Sequence, residues 1–212
     1  MKTKSLFAGV CAAAMLAMMP AAASAITFTN TVGGATTGTG PYTLTSTDST
    51  FSVLRFVNTE AFNFGDLTSL SLDYNVLQGG VGGGGPRIAI VTDANHDTVA
   101  DGQFLIHLGP AGTFTDPSLG FHSTGNLLAM TDMGRFDLGG IGGSTYTDYT
   151  AALSAAGGFG VLRASVILDS FGGADKTFEI GADGLKAMTA VPEPTTWAMM
   201  IIGFGGVGSM VR

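Results

Sequence analysis

From Ser69 to Val76 polar and apolar residues alternate one by one, so that Leu70, Leu72, Tyr74 and Val76 fall on one side. A period of two is what a strand with one buried face requires; a helix would need its apolar residues every third or fourth position. Val161–Leu168 repeats the pattern and predicts a second stripe of Leu162, Ala164, Val166 and Leu168. Tyr42–Ser46 and Phe51–Val57 are rich in strand formers, and the turn residues 47–50 between them predict a hairpin. Arg87–Thr92 with Gln103–Leu108 predicts another antiparallel pair, and Thr177–Ile180 and Gly184–Met188 are expected to close the sheet. The pattern breaks once. Asp148 can cap a helix over Tyr149–Ala156 that Gly157 and Gly158 then stop. The expectation is a mainly β domain, an antiparallel β-sandwich of jelly-roll-like type with one short helix. Gly79–Pro86, with six glycines, is expected to be a flexible connection between two of its strands.

The two ends read differently from this middle. Lys2 and Lys4 precede an uncharged apolar run from Leu6 to Met19, Pro20 breaks it, and Ala23-Ser24-Ala25 offers an A-x-A cleavage site. That is a signal peptide over 1–25, a helix removed on export, with Ala23 and Ala25 as the recognised small residues and Ile26 as the mature N-terminus. The only cysteine, Cys11, lies inside it. The mature protein therefore has neither a disulfide nor a cysteine-ligated zinc.

At the other end stand Pro192-Glu193-Pro194, then Trp197 and Ala198, then a run without charge from Thr195 to Val211 and a final Arg212. Two prolines flanking one residue hold the chain extended and expose Glu193. The 17 uncharged residues would span about 25 Å as a helix at ~1.5 Å per residue. That is a short transmembrane segment, with Trp197 at the interface and Arg212 as a cytoplasmic anchor. The segment resembles the PEPxxWA type of PEP-CTERM sorting signal. The resemblance covers residues 191–212 and departs from the family pattern in carrying one terminal basic residue rather than a cluster. It implies recognition by an exosortase-type membrane protease, processing near the Pro-Glu-Pro, and a Gram-negative host that makes extracellular polysaccharide. The domain order is thus signal peptide 1–25, sandwich 26–190 and sorting tail 191–212.

Residues 26–190 hold 6 Lys/Arg against 15 Asp/Glu. Such a domain has no basic face for phosphates, so nucleic acid is excluded as a partner. The densest acidic stretch is Asp93-Ala94-Asn95-His96-Asp97-Thr98-Val99-Ala100-Asp101. Asp93, Asn95, Asp97 and Asp101, with the Val99 carbonyl, present oxygens at the spacing of a calcium loop. Glycine at the sixth position and glutamate at the twelfth are missing; Thr98 and Phe104 stand there. Two readings stay open: a calcium site that braces a disulfide-free domain, or a hairpin loop whose Asx residues cap their own backbone.

No catalytic set emerges. There is no G-x-S-x-G or H-E-x-x-H, and His96, His107 and His122 lack metal spacing. The two G-x-G-x-x-G matches, at 80, 82, 85 and at 203, 205, 208, sit outside any βαβ context. Tyr42, Tyr74, Tyr146 and Tyr149 are the domain's only tyrosines, and Trp197 of the tail is the only tryptophan. The sequence therefore points to a non-enzymatic exported module of the cell surface or extracellular matrix. A carbohydrate-active enzyme or polysaccharide-binding module is the alternative.

Overall fold

The computed structural model describes residues 23–26, 28–33, 40–47, 50–58, 61–82, 85–139, 145–170 and 174–190. The signal run 1–22 and the tail 191–212 lie outside the described residues, and among those described no helix is long and apolar enough to cross a membrane. Strands follow in the order β1 (Ala23–Ile26), β2 (Phe28–Gly33), β3 (Tyr42–Ser46), β4 (Phe51–Asn58), β5 (Leu67–Gln78), β6 (Arg87–Asp93), β7 (Gly102–His107) and β8 (Gly120–Ser123). After β9 (Phe136–Asp137) and β10 (Tyr146–Thr147) come the helix α1 (Tyr149–Ala156) and the long strands β11 (Gly160–Asp169) and β12 (Lys176–Ala190). They form two antiparallel sheets. One runs β1-β12-β5-β8, with β3 also pairing β12; the other runs β10-β9-β7-β6-β11-β4-β2.

The alternating pattern of β5 is realised as read: Leu70, Leu72, Tyr74 and Val76 are buried. They join Leu44, Phe178 and Ile180 of the first sheet and Leu54, Phe56, Ile88, Ile90, Phe104, Ile106, Val166 and Leu168 of the second in one apolar cluster. Burying a side chain of this kind stabilises by about 1.5–3 kcal/mol. α1 forms where expected. Asp148 Oδ1 accepts from Ala151 N at 2.9 Å, and the Gly157 N–H reaches Leu153 O at 2.8 Å. The helix lays Ala152 and Ala156 into the core.

Four expectations need correction. β3 and β4 do not pair with each other: β3 lies beside β12 in the first sheet, whereas β4 lies between β2 and β11 in the second. Both strands carry apolar faces that must meet across the core, so the chain arches between sheets. The corner is pinned by Ser46 Oγ donating to Thr50 O at 2.5 Å and by Ser52 Oγ donating to Thr45 O. In β11 the register shifts between Val161 and Arg163. This bulge places Val161 in the core and leaves Leu162 only half-buried. The two segments 177–180 and 184–188 belong to one strand, β12, in which Gly181–Gly184 stand opposite the single residue Asp73 of β5.

The glycine-rich link is also held rather than loose at its described residues. Val81 exchanges backbone hydrogen bonds with Asp116 at 2.7 and 3.0 Å, and Gly82 does so with Gly85 at 3.1 and 3.3 Å. The buried Lys176 ammonium donates to the carbonyls of Gly82 and Gly85. Gly79, at φ +84°, leaves no space for a side chain: a Cβ there would sit 2.4 Å from Asp175 O.

β1 pairs Ala23, Ser24, Ala25 and Ile26 with Ala190, Thr189, Met188 and Ala187. The expected cleavage after Ala25 therefore falls inside this strand and would leave only the Ile26 pair.

Arg135 is among the largest fully buried side chains of the described residues. It pairs with Asp132, donates to His107 O at 2.7 Å and to Gly109 O at 3.2 Å, and lies 4.9 Å above the Phe114 ring. Replacing it by methionine removes three polar contacts from a dry site and is expected to cost about 3 kcal/mol or more. Lys186, 56 % exposed in its pair with Asp73, is expected to cost about 1 kcal/mol or less on the same replacement. Urea unfolding of Arg135→Met and Lys186→Met checks the contrast; equal losses would contradict it.

Candidate functional site

The acidic loop 94–101 closes the β6–β7 hairpin, where Thr92 faces Gly102 and the Asp101 N–H reaches Thr92 O at 2.9 Å. His96 and Thr98 adopt left-handed φ of 60° and 71°. Each predicted side-chain ligand serves a backbone donor. Asp93 accepts from Asp97 N at 3.2 Å and from Thr98 N at 2.6 Å. Asn95 Oδ1 accepts from Asp97 N at 3.1 Å, Asp97 Oδ1 from Val99 N at 2.8 Å, and Asp101 Oδ2 from Ala94 N at 2.8 Å. The loop is a set of nested Asx turns built around Asp93. Among the described residues no group of three or more His, Cys, Asp or Glu is placed to hold a metal ion. Val99, expected to lend its carbonyl, has an exposed side chain. Burial alone would raise the Asp93 carboxyl, but backbone donors from Thr98, Asp97, His96 and Asn95 together bring it below the usual value.

The histidines are dispersed. His96 Nε2 lies 3.1 Å from Gly158 O. His107 packs between Phe114 at 5.6 Å and Tyr146 at 6.1 Å. Its ring is pushed below the ordinary histidine pKa by burial and then by Arg87 and Arg135, against the opposing pull of Asp137. His122 stacks on Tyr74 at 5.3 Å and lies 3.8 Å from Asp116. Of the four tyrosines, Tyr42 and Tyr74 are core residues and Tyr146 is exposed. Tyr149 packs on Phe64 and Phe136 and donates its hydroxyl to Leu67 O at 3.1 Å. Burial, helped by Asp116, pushes the Tyr74 hydroxyl up to about 12.

A cleft of about 520 Å³ opens on the first sheet, lined by Asp73, Asn75, Phe121, Glu179, Asp183 and Lys186 among others. Its geometry follows from the strand pattern. From Leu70 to Val76 of β5 the even-numbered residues enter the core, so Asp73 and Asn75 point to the other face. The register then sets Ser123 beside Asp73, and Phe121 and Glu179 on either side of Asn75. The four-residue bulge Gly181–Gly184 contributes to the lining together with Pro41. Inside, Asp73 accepts from Lys186 Nζ at 2.5 Å and from Ser123 Oγ at 2.6 Å, while Asn75 Nδ2 donates to Glu179 Oε2 at 3.5 Å. The hydrogen bonds from Lys186 and Ser123 hold the Asp73 carboxyl below its usual range, with burial opposing them. An acid so held accepts hydrogen bonds well and is a poor proton donor at neutral pH.

Sequence reasoning missed this cleft. Asp73 and Asn75 are visible only as the polar half of the alternating strand. Gly120–Ser123 is too short to show a period at all, so nothing marked Phe121.

The capping account predicts that Asp93→Asn is less stable than the wild type at neutral pH. A folded-state pKa below the unfolded value of about 3.9 gives stability that is present above that pH and lost as pH falls through the folded pKa. The gap between the two proteins should therefore close on acidification below about pH 4; a gap independent of pH would contradict the account. Melting curves in millimolar calcium test the metal reading, because each of these carboxylates keeps acceptor capacity beyond the bonds it makes; unchanged curves leave capping as their role. A rise with calcium that Asp97→Asn abolishes is the result a calcium site requires.

Comparison of the chain with protein-family models, with curated proteins and with solved structures finds no match.

Proposed function

We propose that this chain is an exported protein of the cell envelope or extracellular matrix, sorted through its PEP-CTERM-type tail and working there as a non-enzymatic surface module. The observation that carries the reading is the pair of opposed addresses: a charged start, apolar run and Ala23-Ser24-Ala25 at one end, and Pro192-Glu193-Pro194, Trp197-Ala198, an uncharged run and Arg212 at the other. In this reading the tail crosses the bilayer as a helix until an exosortase-type protease cuts near the Pro-Glu-Pro and releases the jelly-roll-like sandwich. A signal peptidase acts on the extended chain during export, before Ala23–Ile26 could pair with β12, and the fold then relies on the remaining strands.

The choice of a module over an enzyme rests on the sequence, which carries no G-x-S-x-G or H-E-x-x-H motif. Asp73 is bound to Lys186 and Ser123, and Glu179 to Asn75. A glycosidase needs one protonated carboxyl and one ionised one; Asp73, held below its usual range, does not fit the donor's part. The polysaccharide-binding alternative gains from the same cleft, because bound, oriented polar groups beside an exposed ring suit recognition without chemistry.

Deleting residues 191–212 tests the leading reading. The truncated protein is expected to be exported but no longer retained and processed at the surface, so that it appears in the medium or periplasm. Unchanged surface localisation of the truncated protein would overturn it.

A further inference from the structure

The outward face of the first sheet carries a row of four residues on neighbouring strands. Thr43 of β3 faces Glu179 of β12, Glu179 faces Asn75 of β5, and Asn75 faces Phe121 of β8. Phe121 is 74 % exposed; Leu119, two residues before it, and Leu77 of β5 are exposed as well. A single exposed phenylalanine needs no explanation. What distinguishes this one is its position in a cleft that also holds polar side chains already oriented. Glu179 is oriented by Asn75, and Asp73 by Ser123 and Lys186.

A sugar ring presents an apolar C–H face bordered by hydroxyls. An open aromatic ring covers the first, and fixed carboxylate and amide groups pair with the second, each oxygen keeping acceptor capacity beyond the bond it already makes. The volume of about 520 Å³ lies within the range of small-molecule sites, roughly 300–1,000 Å³, enough for a few sugar units of a longer chain. Charge narrows the ligand further. The lining holds three carboxylates, Asp73, Glu179 and Asp183, against one ammonium, Lys186, which is bound to Asp73. A uronate or phosphate along the ligand would meet like charge without a cation to receive it.

We infer that this cleft binds a neutral polysaccharide chain, with Phe121 stacking on a sugar ring and Asn75, Glu179 and Asp73 taking its hydroxyls. The inference deepens the polysaccharide-binding alternative above and is independent of whether the tail is sorted.

The test is retardation of the full chain, held in mild detergent, on native gels containing neutral polysaccharides (laminarin, dextran, galactomannan, xyloglucan) or acidic polygalacturonate. Retardation by at least one neutral polymer and none by polygalacturonate is expected. Phe121→Ala should weaken binding about tenfold or more without lowering the melting temperature, since the ring is outside the core; Phe121→Trp should keep binding. Asn75→Ala should weaken it as well. No retardation by any neutral polymer would overturn the proposal, as would preference for polygalacturonate. Binding that survives in Phe121→Ala would also overturn it. So would concentration-dependent self-association that Phe121→Ala abolishes while sugars have no effect, because the face would then belong to a second copy of the chain. Failure here leaves the tail-deletion result standing, and mislocalisation there leaves sugar binding by the purified chain standing.

Discussion

The contact between the two apolar sheet faces carries this domain. With Cys11 the only cysteine, no disulfide links one sheet to the other, and the chain entropy lost on folding has to be offset by burial. β12 is the strand through which the first sheet is assembled: β3 and β1 pair with it at different points along its length, and β5 pairs with it besides. Its Phe178 and Ile180 and the alternating set of β5 meet the aromatic and branched residues of β6, β7 and β11. Remove that ladder and the first sheet loses its centre.

Around the apolar contact, buried cations tie the irregular backbone. Arg135 collects the carbonyls of His107 and Gly109 together with the Asp132 carboxylate, and Lys176 collects those of Gly82 and Gly85. A carbonyl accepts more than one hydrogen bond, and where the chain turns in a buried site a cation can use the capacity that backbone donors leave. A long cationic side chain serves several carbonyls at once. Burial lowers the Lys176 pKa, with Arg87 adding to the effect and Asp169 opposing it, so the arrangement is held against a desolvation penalty. The acidic hairpin loop does the converse with the opposite charge, its carboxylates accepting from orphan N–H groups.

How much of this was legible depended on whether a residue's role is local. The Asp148 cap, the Gly157 stop and the buried stripe of β5 follow from neighbours in sequence, and so does the β6–β7 pair. The partner of β3 does not. A four-residue link fits a hairpin and an arch equally well, and the choice is made by Leu44 and Leu54 needing opposite sheets. Leu162 was misplaced because a one-residue bulge inverts the phase of an alternating pattern. The glycine-rich link looked loose because its restraints come from Asp116 and Lys176, far along the chain. The cleft was hidden for the same reason: Phe121, Asn75 and Glu179 become neighbours only through the register of three strands.

In the reading proposed above, the disulfide-free acidic sandwich stands between two ends that are removed, each of which need act only once. The mass of the native protein recovered from the envelope or matrix reads this most directly. The account predicts a chain that begins at Ile26 and ends close to the Pro192-Glu193-Pro194 motif. A mature protein that still carries residues 195–212, or that starts upstream of Ala23, would contradict it.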